Sequence, residues 1–188
     1  MLTAVLTGLF IQTAALLGTA LVGLGWIPVE AKVAKHMELA LISAVLCLLV
    51  QTVVIFYTLA TGRRARDLIA SGVWAEGETE ESKALTARIK DVKKNIFPVS
   101  GMLVVSVLIT FWGGGAVHTL RIPAEMHLTM ALITLGLLFA SLILGFRWLP
   151  QNEAILDEAW FRYEKYESLS EENKKKTPHH TQGAAGSI

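Results

Sequence analysis

Three histidines are the residues of this sequence most suited to binding a metal or a cofactor. His36, His118 and His127 each stand at one end of a long apolar stretch, and imidazole nitrogens are common ligands of iron, copper and zinc. His36 opens its stretch, His118 closes the next one and His127 opens the last. If consecutive stretches form antiparallel helices, all three histidines lie at the same end of a bundle.

Helical phase indicates where two of these side chains point. At about 100° per residue, His36 shares a sector of about 80° with the small and polar residues of its stretch, and His127 shares one of about 60° with those of its own. These companions are Ala40, Ser43, Cys47, Gln51 and Thr58 for His36, and Met130, Thr134, Ser141 and Gly145 for His127. Because such faces of membrane helices turn toward other helices, both histidines are predicted to point inward. Helical phase does not predict the direction of the His118 side chain, because residues 113–115 before it are all glycine and can distort the phase.

Two inward imidazoles at matching depth suit the axial positions of a haem b, as in other helical bundles that carry this group. The sequence therefore predicts a haem site with His36 and His127 as ligands and His118 as an alternative or third ligand. A copper or zinc ion held by all three histidines is a second hypothesis. The third is that no cofactor binds and the imidazoles only line a membrane interface. Glu38 and Glu125 are candidates for orienting the histidines, or simple interfacial charges.

Four stretches free of Lys and Arg would position these histidines. They cover residues 2–25, 37–61, 97–117 and 126–146, and each reaches the roughly 20 residues that cross a hydrocarbon core about 30 Å thick. With 53% hydrophobic and 18% charged residues, the chain is too apolar for an ordinary soluble domain. We predict an all-α membrane protein with a four-transmembrane-helix bundle of up-down-up-down topology. The first stretch exceeds a signal-peptide core in length and lacks a basic flank, so we expect a retained helix.

Basic residues are distributed unevenly among the segments between these stretches. Of the 17 Lys and Arg residues, eight lie in the loop 62–96 and six follow residue 146, whereas the other two connections hold only Lys32, Lys35 and Arg121. The positive-inside rule then predicts that the loop and both termini lie in the cytoplasm. The expected membrane is a plasma membrane or a bacterial inner membrane. Acidic residues interrupt the basic ones, so no nucleic-acid partner is predicted.

The loop 62–96 carries a helical pattern of its own. Its apolar stripe consists of Leu85, Ile89, Val92 and Ile96. Their 3.6-residue spacing predicts an amphipathic helix that runs into the third membrane helix, with a kink or a local break at Pro98. Gly72 and residues 77–82 favour the turn of a cytoplasmic hairpin.

A second amphipathic pattern follows the last membrane stretch. Its apolar side consists of Ile155, Leu156, Ala159, Trp160 and Tyr163. We assign residues 1–150 to the bundle with its hairpin, 151–167 to a cytoplasmic amphipathic helix and 168–188 to a disordered tail.

Two functional hypotheses of different classes fit these patterns. The chain has no phosphate-binding loop, nucleophile elbow or metalloprotease motif, so an enzymatic role is not favoured. Cys47, the single cysteine, is predicted to be a packing residue. The first hypothesis is a small membrane subunit of an electron-transfer system, with haem b or a metal near the non-cytoplasmic face. The alternative is a non-catalytic scaffold or assembly protein without cofactor, whose cytoplasmic helices bind membrane or cytoplasmic proteins or a second copy of the chain.

Overall fold

The computed structural model describes residues 1–73, 80–119 and 122–176, and within these residues all regular structure is helical. The helices are α1 (Leu2–Leu24), α2 (Lys32–Leu68), α3 (Glu80–His118) and α4 (Ala124–Lys176). A five-residue π-helical segment, Ile69–Val73, extends α2. The predicted all-α chain with four principal helices is confirmed over this part of the molecule.

The exterior of the four helices is apolar. Each helix contains a window long and apolar enough to cross a membrane, with a mean hydropathy between 1.9 and 2.7. Only 22 to 33% of each window is buried inside the fold, and large side chains such as Phe10, Phe56 and Ile143 are 63 to 65% exposed. Soluble monomers rarely expose apolar patches beyond a few hundred Å². An exterior of this kind is suited to lipid.

Two of the helices extend past the predicted membrane stretches toward the loop 62–96. α2 continues beyond residue 61 to Leu68, and α3 begins at Glu80 and runs without a break through Pro98. The predicted continuity between the amphipathic helix and the third membrane helix is confirmed. Of the residues predicted to form the turn between α2 and α3, Gly72 lies in the π-helical segment and residues 80–82 lie in the first turn of α3, so the turn prediction is wrong for them. Residues 77–79 lie outside the described residues.

α4 is a single helix, whereas the sequence analysis assigned a membrane helix and a separate amphipathic helix on the two sides of residue 150. It remains continuous through Pro150, and residues 168–176, predicted to be disordered, form its last turns. Proline removes one backbone hydrogen bond, but Leu149 and Asn152 on either side of it are 0 and 2% exposed. Tertiary packing therefore keeps the helix continuous through Pro150, although proline commonly ends a helix. Residues 177–188 of the predicted tail lie outside the described residues.

Polar side chains connect the helices in the interior. α1 and α3 each pack against α2 and α4, and α2 and α4 also touch each other. The Thr19 and Ser43 hydroxyls are 2.8 Å apart between α1 and α2, and Gln51 Nε2 donates to Ser141 Oγ at 3.2 Å between α2 and α4. Such bonds favour one packing arrangement over others that would leave these groups unpaired.

Close helix approach depends on Gly145 of α4. A Cβ placed on this glycine would lie 2.4 Å from Cδ1 of Leu9 in α1, and Leu9 is completely buried. The absence of a side chain at Gly145 lets Leu9 fill the groove between the two helices.

The extensions of α2, α3 and α4 share one apolar core. All four residues of the predicted stripe, Leu85, Ile89, Val92 and Ile96, are 1 to 3% exposed and belong to one cluster with Ala65, Ile155 and Ala159. This packing confirms the predicted apolar stripe of the first segment and, in the second, Ile155, Leu156 and Ala159, whereas Trp160 of the predicted apolar side is 43% exposed. The hairpin and the end of α4 thus continue the bundle as one packed unit.

Ion pairs join the surfaces of α3 and α4 in this region. Glu158 accepts hydrogen bonds from Arg88 at 2.6 Å and from Arg162 at 2.8 Å, and Arg162 also pairs with Glu81. The hydrogen bond from Arg88 is the main cause that lowers the pKa of Glu158, and Arg162 lowers it further. Partial exposure limits what these pairs add to stability.

Replacing Ile89 by alanine tests the packing of the extensions. Ile89 is 2% exposed, and removing a buried aliphatic side chain of this size costs about 2–5 kcal/mol. Chemical denaturation of the detergent-solubilised chain, followed by circular dichroism, should show this loss. Exposed Lys90 is the matched control, and Lys90→Ala should stay within about 0.5 kcal/mol of the wild type. Equal effects of the two substitutions would mean that the stripe is not packed.

Candidate functional site

One cavity of about 510 Å³ lies between the four helices at the end where α2 and α4 begin. Each helix contributes to its wall, with Thr19 and Gly23 from α1, Lys32 and His36 from α2, Thr110 and Gly114 from α3, and His127 and Thr134 from α4 among the lining residues. The remaining walls are mostly aliphatic and aromatic. Its volume falls within the roughly 300–1,000 Å³ of small-molecule and cofactor sites.

His36 is held by α1. Its Nδ1 lies 3.1 Å from the backbone carbonyl oxygen of Thr19. A carbonyl oxygen can only accept, so Nδ1 carries the hydrogen and donates it. In the neutral ring, Nε2 then bears the lone pair that can bind a metal. The half-buried imidazole is thus oriented in the way that metal-binding histidines usually are.

Gly23 makes room for the His36 ring. A Cβ placed on Gly23 would lie 2.6 Å from Cε1 and 2.9 Å from Nδ1 of His36. Real Cβ atoms do not come this close to another heavy atom, so any larger residue would displace the imidazole. The position of His36 therefore depends on two features of α1, the Thr19 carbonyl and the missing side chain at Gly23.

His127 lies against α3 in a comparable arrangement. It is half-buried, and a Cβ placed on Gly114 would lie 3.0 Å from its Cε1. The neighbouring Gly113 lies near Met130, one turn along α4 from His127. The glycines before His118 thus give His127 room to pack against α3.

The two histidines reach the same cavity from different helix pairs. His36 packs against α1 from α2, and His127 packs against α3 from α4. Both side chains line the cavity, as the helical phase predicted for inward-facing residues. Binding of a ligand by them remains a prediction.

The third predicted ligand is described only by its backbone. His118 is the last residue of α3, and its side chain lies outside what the structure describes. Among the described residues, no group of three or more His, Cys, Asp or Glu side chains is placed to hold a metal ion. The copper or zinc site built from all three histidines therefore stays an untested prediction.

The hydroxyl groups that line the cavity already bond to other protein groups. Thr134 Oγ1 lies 2.7 Å from Thr110 Oγ1 and 2.6 Å from Ser106 Oγ, and the Thr19 hydroxyl pairs with Ser43. The imidazoles of His36 and His127 and the exposed ammonium of Lys32 are further polar groups in the described wall. The cavity wall is thus apolar apart from these hydroxyl groups, the imidazoles of His36 and His127 and the ammonium of Lys32.

Glu38 does not orient His36. Its carboxylate pairs with Lys35 at 2.8 Å on the surface, and both side chains are 57% exposed. Glu125 is also exposed. Acidic residues were predicted as the orienting partners of the histidines. The sequence did not indicate that the Thr19 carbonyl and Gly23 position His36, or that Lys32 lines the cavity. The four-residue spacing of Thr19 and Gly23 was a signal for close packing, but it did not indicate that a histidine fills the space.

Comparison of the chain with protein-family models, curated proteins and solved structures gave no match.

Replacing Gly23 by alanine should displace His36 and lower stability. The added methyl group overlaps the imidazole, and overpacking of this kind costs about 1–3 kcal/mol. Gly18 of α1 is the matched control because nothing lies within 4 Å of a Cβ placed there. Gly18→Ala should be neutral or stabilise by up to about 1 kcal/mol, since alanine favours a helix interior over glycine. Thermal unfolding of both variants in the same detergent measures the difference, and a Gly23→Ala protein as stable as Gly18→Ala would contradict the described position of His36.

Proposed function

We propose that the chain is an integral membrane protein whose four helices cross the bilayer up-down-up-down. Both termini, the hairpin and the extension of α4 then lie in the cytoplasm, and the cavity lies near the non-cytoplasmic face. The apolar windows of the helices support the crossing. The excess of Lys and Arg in residues 62–96 and after residue 146 supports the orientation. The membrane is a plasma membrane or a bacterial inner membrane.

Within this bundle we propose that the cavity binds haem b, with His36 and His127 as its axial ligands. The observation that carries the proposal is the presence of both imidazoles in one apolar cavity, each from a different helix pair. A porphyrin is apolar over most of its surface and has two carboxylates at one edge. The aliphatic wall suits the ring, and Lys32 supplies a cation for a carboxylate at the rim.

The chemistry of the wall favours haem over a bare metal ion. A porphyrin supplies four nitrogen ligands itself, so two imidazoles complete its coordination. A zinc or copper ion needs three or four protein ligands. The described residues bring together two histidines without further metal-binding side chains, so a bare ion would need ligands from elsewhere, such as His118.

Two axial histidines also restrict what the haem does. An iron with both axial positions occupied by protein has no open site for oxygen or substrate, which is the arrangement of electron carriers. We therefore propose a small subunit of an electron-transfer system that passes electrons near the non-cytoplasmic face. Its partners are other membrane proteins of that system.

A reduced-minus-oxidised absorbance spectrum tests the haem proposal. The full chain, purified in mild detergent from haem-sufficient cells, should contain about one haem per chain and show the bands of a b-type haem. His36→Ala and His127→Ala should each lose at least about tenfold in haem content, because each removes an axial ligand and second-shell changes alone cost 10–100-fold.

Two further arms make this experiment decisive. His118→Ala should retain the spectrum, whereas a loss of haem in that variant alone would reassign the ligand pair. A wild-type protein with no Soret band overturns the haem proposal. Metal analysis on the same sample then tests the bare-metal alternative, which predicts stoichiometric copper or zinc.

The scaffold function is the second candidate, and the far end of α4 favours it. Beyond the contact of Arg162 with Glu81, α4 continues for more than three turns to Lys176. Phe161, just before Arg162, is 68% exposed, and Tyr166 and Leu169 beyond it are 39 and 50% exposed. Exposed apolar side chains outside the apolar windows are a common feature of protein interfaces.

The scaffold function and the haem function predict opposite results for two variants, one with Phe161 and Leu169 changed and one with the three histidines changed. If the chain is a scaffold, Phe161→Ser with Leu169→Ser should abolish co-purification of a partner that is cross-linked in intact membranes, while the triple variant of His36, His118 and His127 should retain it. Both sets of residues can be changed without removing a buried aliphatic side chain. Retention of the partner by the serine variant would exclude this surface as the scaffold's contact.

A further inference from the structure

Lys93 of α3 lies in the groove between α2 and α3, and the exposed Arg66 of α2 lies near it. The aliphatic part of Lys93 crosses α2 at Gly62, where a placed Cβ would lie 3.2 Å from Lys93 Cε and 3.6 Å from its Nζ. One turn along α2, Arg66 Nε donates a hydrogen bond to the Gly62 carbonyl oxygen at 3.2 Å. Gly62 is buried beneath them. The groove thus brings an ammonium and a guanidinium to the same short segment of α2.

Neither cation has a carboxylate partner within residues 1–73, 80–119 and 122–176. The ion pairs nearby join other side chains, Arg63 with Asp67 and Arg88 with Glu158. Burial lowers the pKa of Lys93, and the charge of Arg66 lowers it further. Two like charges held close together are unfavourable unless an anion lies between or above them. The arrangement is therefore suited to binding one.

The depth of this pair matches the headgroup layer of a bilayer. The apolar stretch of α2 ends at residue 61 and that of α3 begins at residue 97. At 1.5 Å per residue, Gly62, Arg66 and Lys93 lie about 1.5–8 Å beyond these ends. The headgroup region adds about 5–8 Å on each side of the hydrocarbon core. A phospholipid phosphate would lie at this level.

We infer that Arg66 and Lys93, packed over Gly62, bind the phosphate of an anionic phospholipid of the cytoplasmic leaflet. The inference rests on the membrane placement proposed above. Arginine and lysine at such a level recognise acidic headgroups, and the guanidinium can donate two hydrogen bonds to one phosphate. In a zwitterionic lipid the headgroup ammonium cancels the phosphate charge and opposes the two cations, whereas an anionic lipid keeps its negative charge. An anionic lipid such as phosphatidylglycerol is therefore the preferred occupant.

Lipid titration of the purified full chain tests this inference. Phosphatidylglycerol, phosphatidylcholine and inorganic phosphate are added separately to the protein in a neutral detergent, and the thermal unfolding temperature is recorded at each concentration. Phosphatidylglycerol should raise the unfolding temperature of the wild type, and the other two should not. Arg66→Gln with Lys93→Gln should weaken the apparent affinity about 30-fold, since each cation near the membrane surface contributes about 1 kcal/mol.

The matched control removes the same charges from the exposed surface of the same two helices. Arg63→Gln with Lys94→Gln should keep the wild-type affinity for phosphatidylglycerol. Arg66→Lys with Lys93→Arg keeps both charges and should also bind, which separates a lost site from a damaged fold. Equal weakening in the two glutamine variants would overturn the inference, because it would indicate attraction by overall charge. Equal stabilisation by inorganic phosphate would overturn the lipid as the occupant.

The haem spectrum of the same preparations separates this inference from the proposed function. A wild type with an intact Soret band and no response to phosphatidylglycerol overturns the lipid site alone. A protein without haem that still shows the lipid response, lost only in the Arg66 and Lys93 variant, overturns the haem proposal and supports the lipid site.

Discussion

The apolar exterior of the four helices determines where the polar side chains of the core lie. Several buried polar groups of the described residues find partners inside the bundle, because an unpaired polar group is costly in apolar surroundings. Thr13, Thr58 and Thr61 donate to carbonyls four residues earlier in their own helices, while the Gln51 side chain reaches Ser141 on another helix. His36 follows the same rule when it donates to the Thr19 carbonyl. This constraint fixes the tautomer of the ring and aligns it in the cavity.

The inward faces of α2 and α4 could be predicted from helical phase alone. Ser43, Cys47, Gln51 and Thr58, all assigned to the face of His36, are 0 to 2% exposed, and Thr134 and Ser141 on the face of His127 are 5% exposed. Phase succeeds here because a regular helix repeats faithfully over many turns. It could not predict the contacts of the rings, because these depend on Gly23 and Gly114 of neighbouring helices.

Two other features could not be predicted from the sequence, because they depend on tertiary packing or on the backbone. The continuity of α4 through Pro150 depends on the burial of Leu149 and Asn152, which is a property of the packed fold and not of the local residues. The orienting partner of His36 is a backbone carbonyl, and every residue has one, so no residue type indicates it. Side-chain chemistry pointed instead to Glu38, which pairs with Lys35 at the surface.

The continuous helices also relate the two ends of the molecule. α4 carries His127 in its first turn and reaches the core around Ile155 and Ala159 without an interruption. The proposed haem, the proposed lipid contact and the exposed end of α4 are therefore held on one set of packed helices. Electron paramagnetic resonance of the oxidised protein tests the central claim, the joint ligation of one iron by His36 and His127, most directly. The wild type should give a low-spin ferric signal of the kind given by two imidazole ligands, and the small fraction of haem that remains in His127→Ala should be high-spin; a high-spin signal in the wild type would contradict the joint ligation.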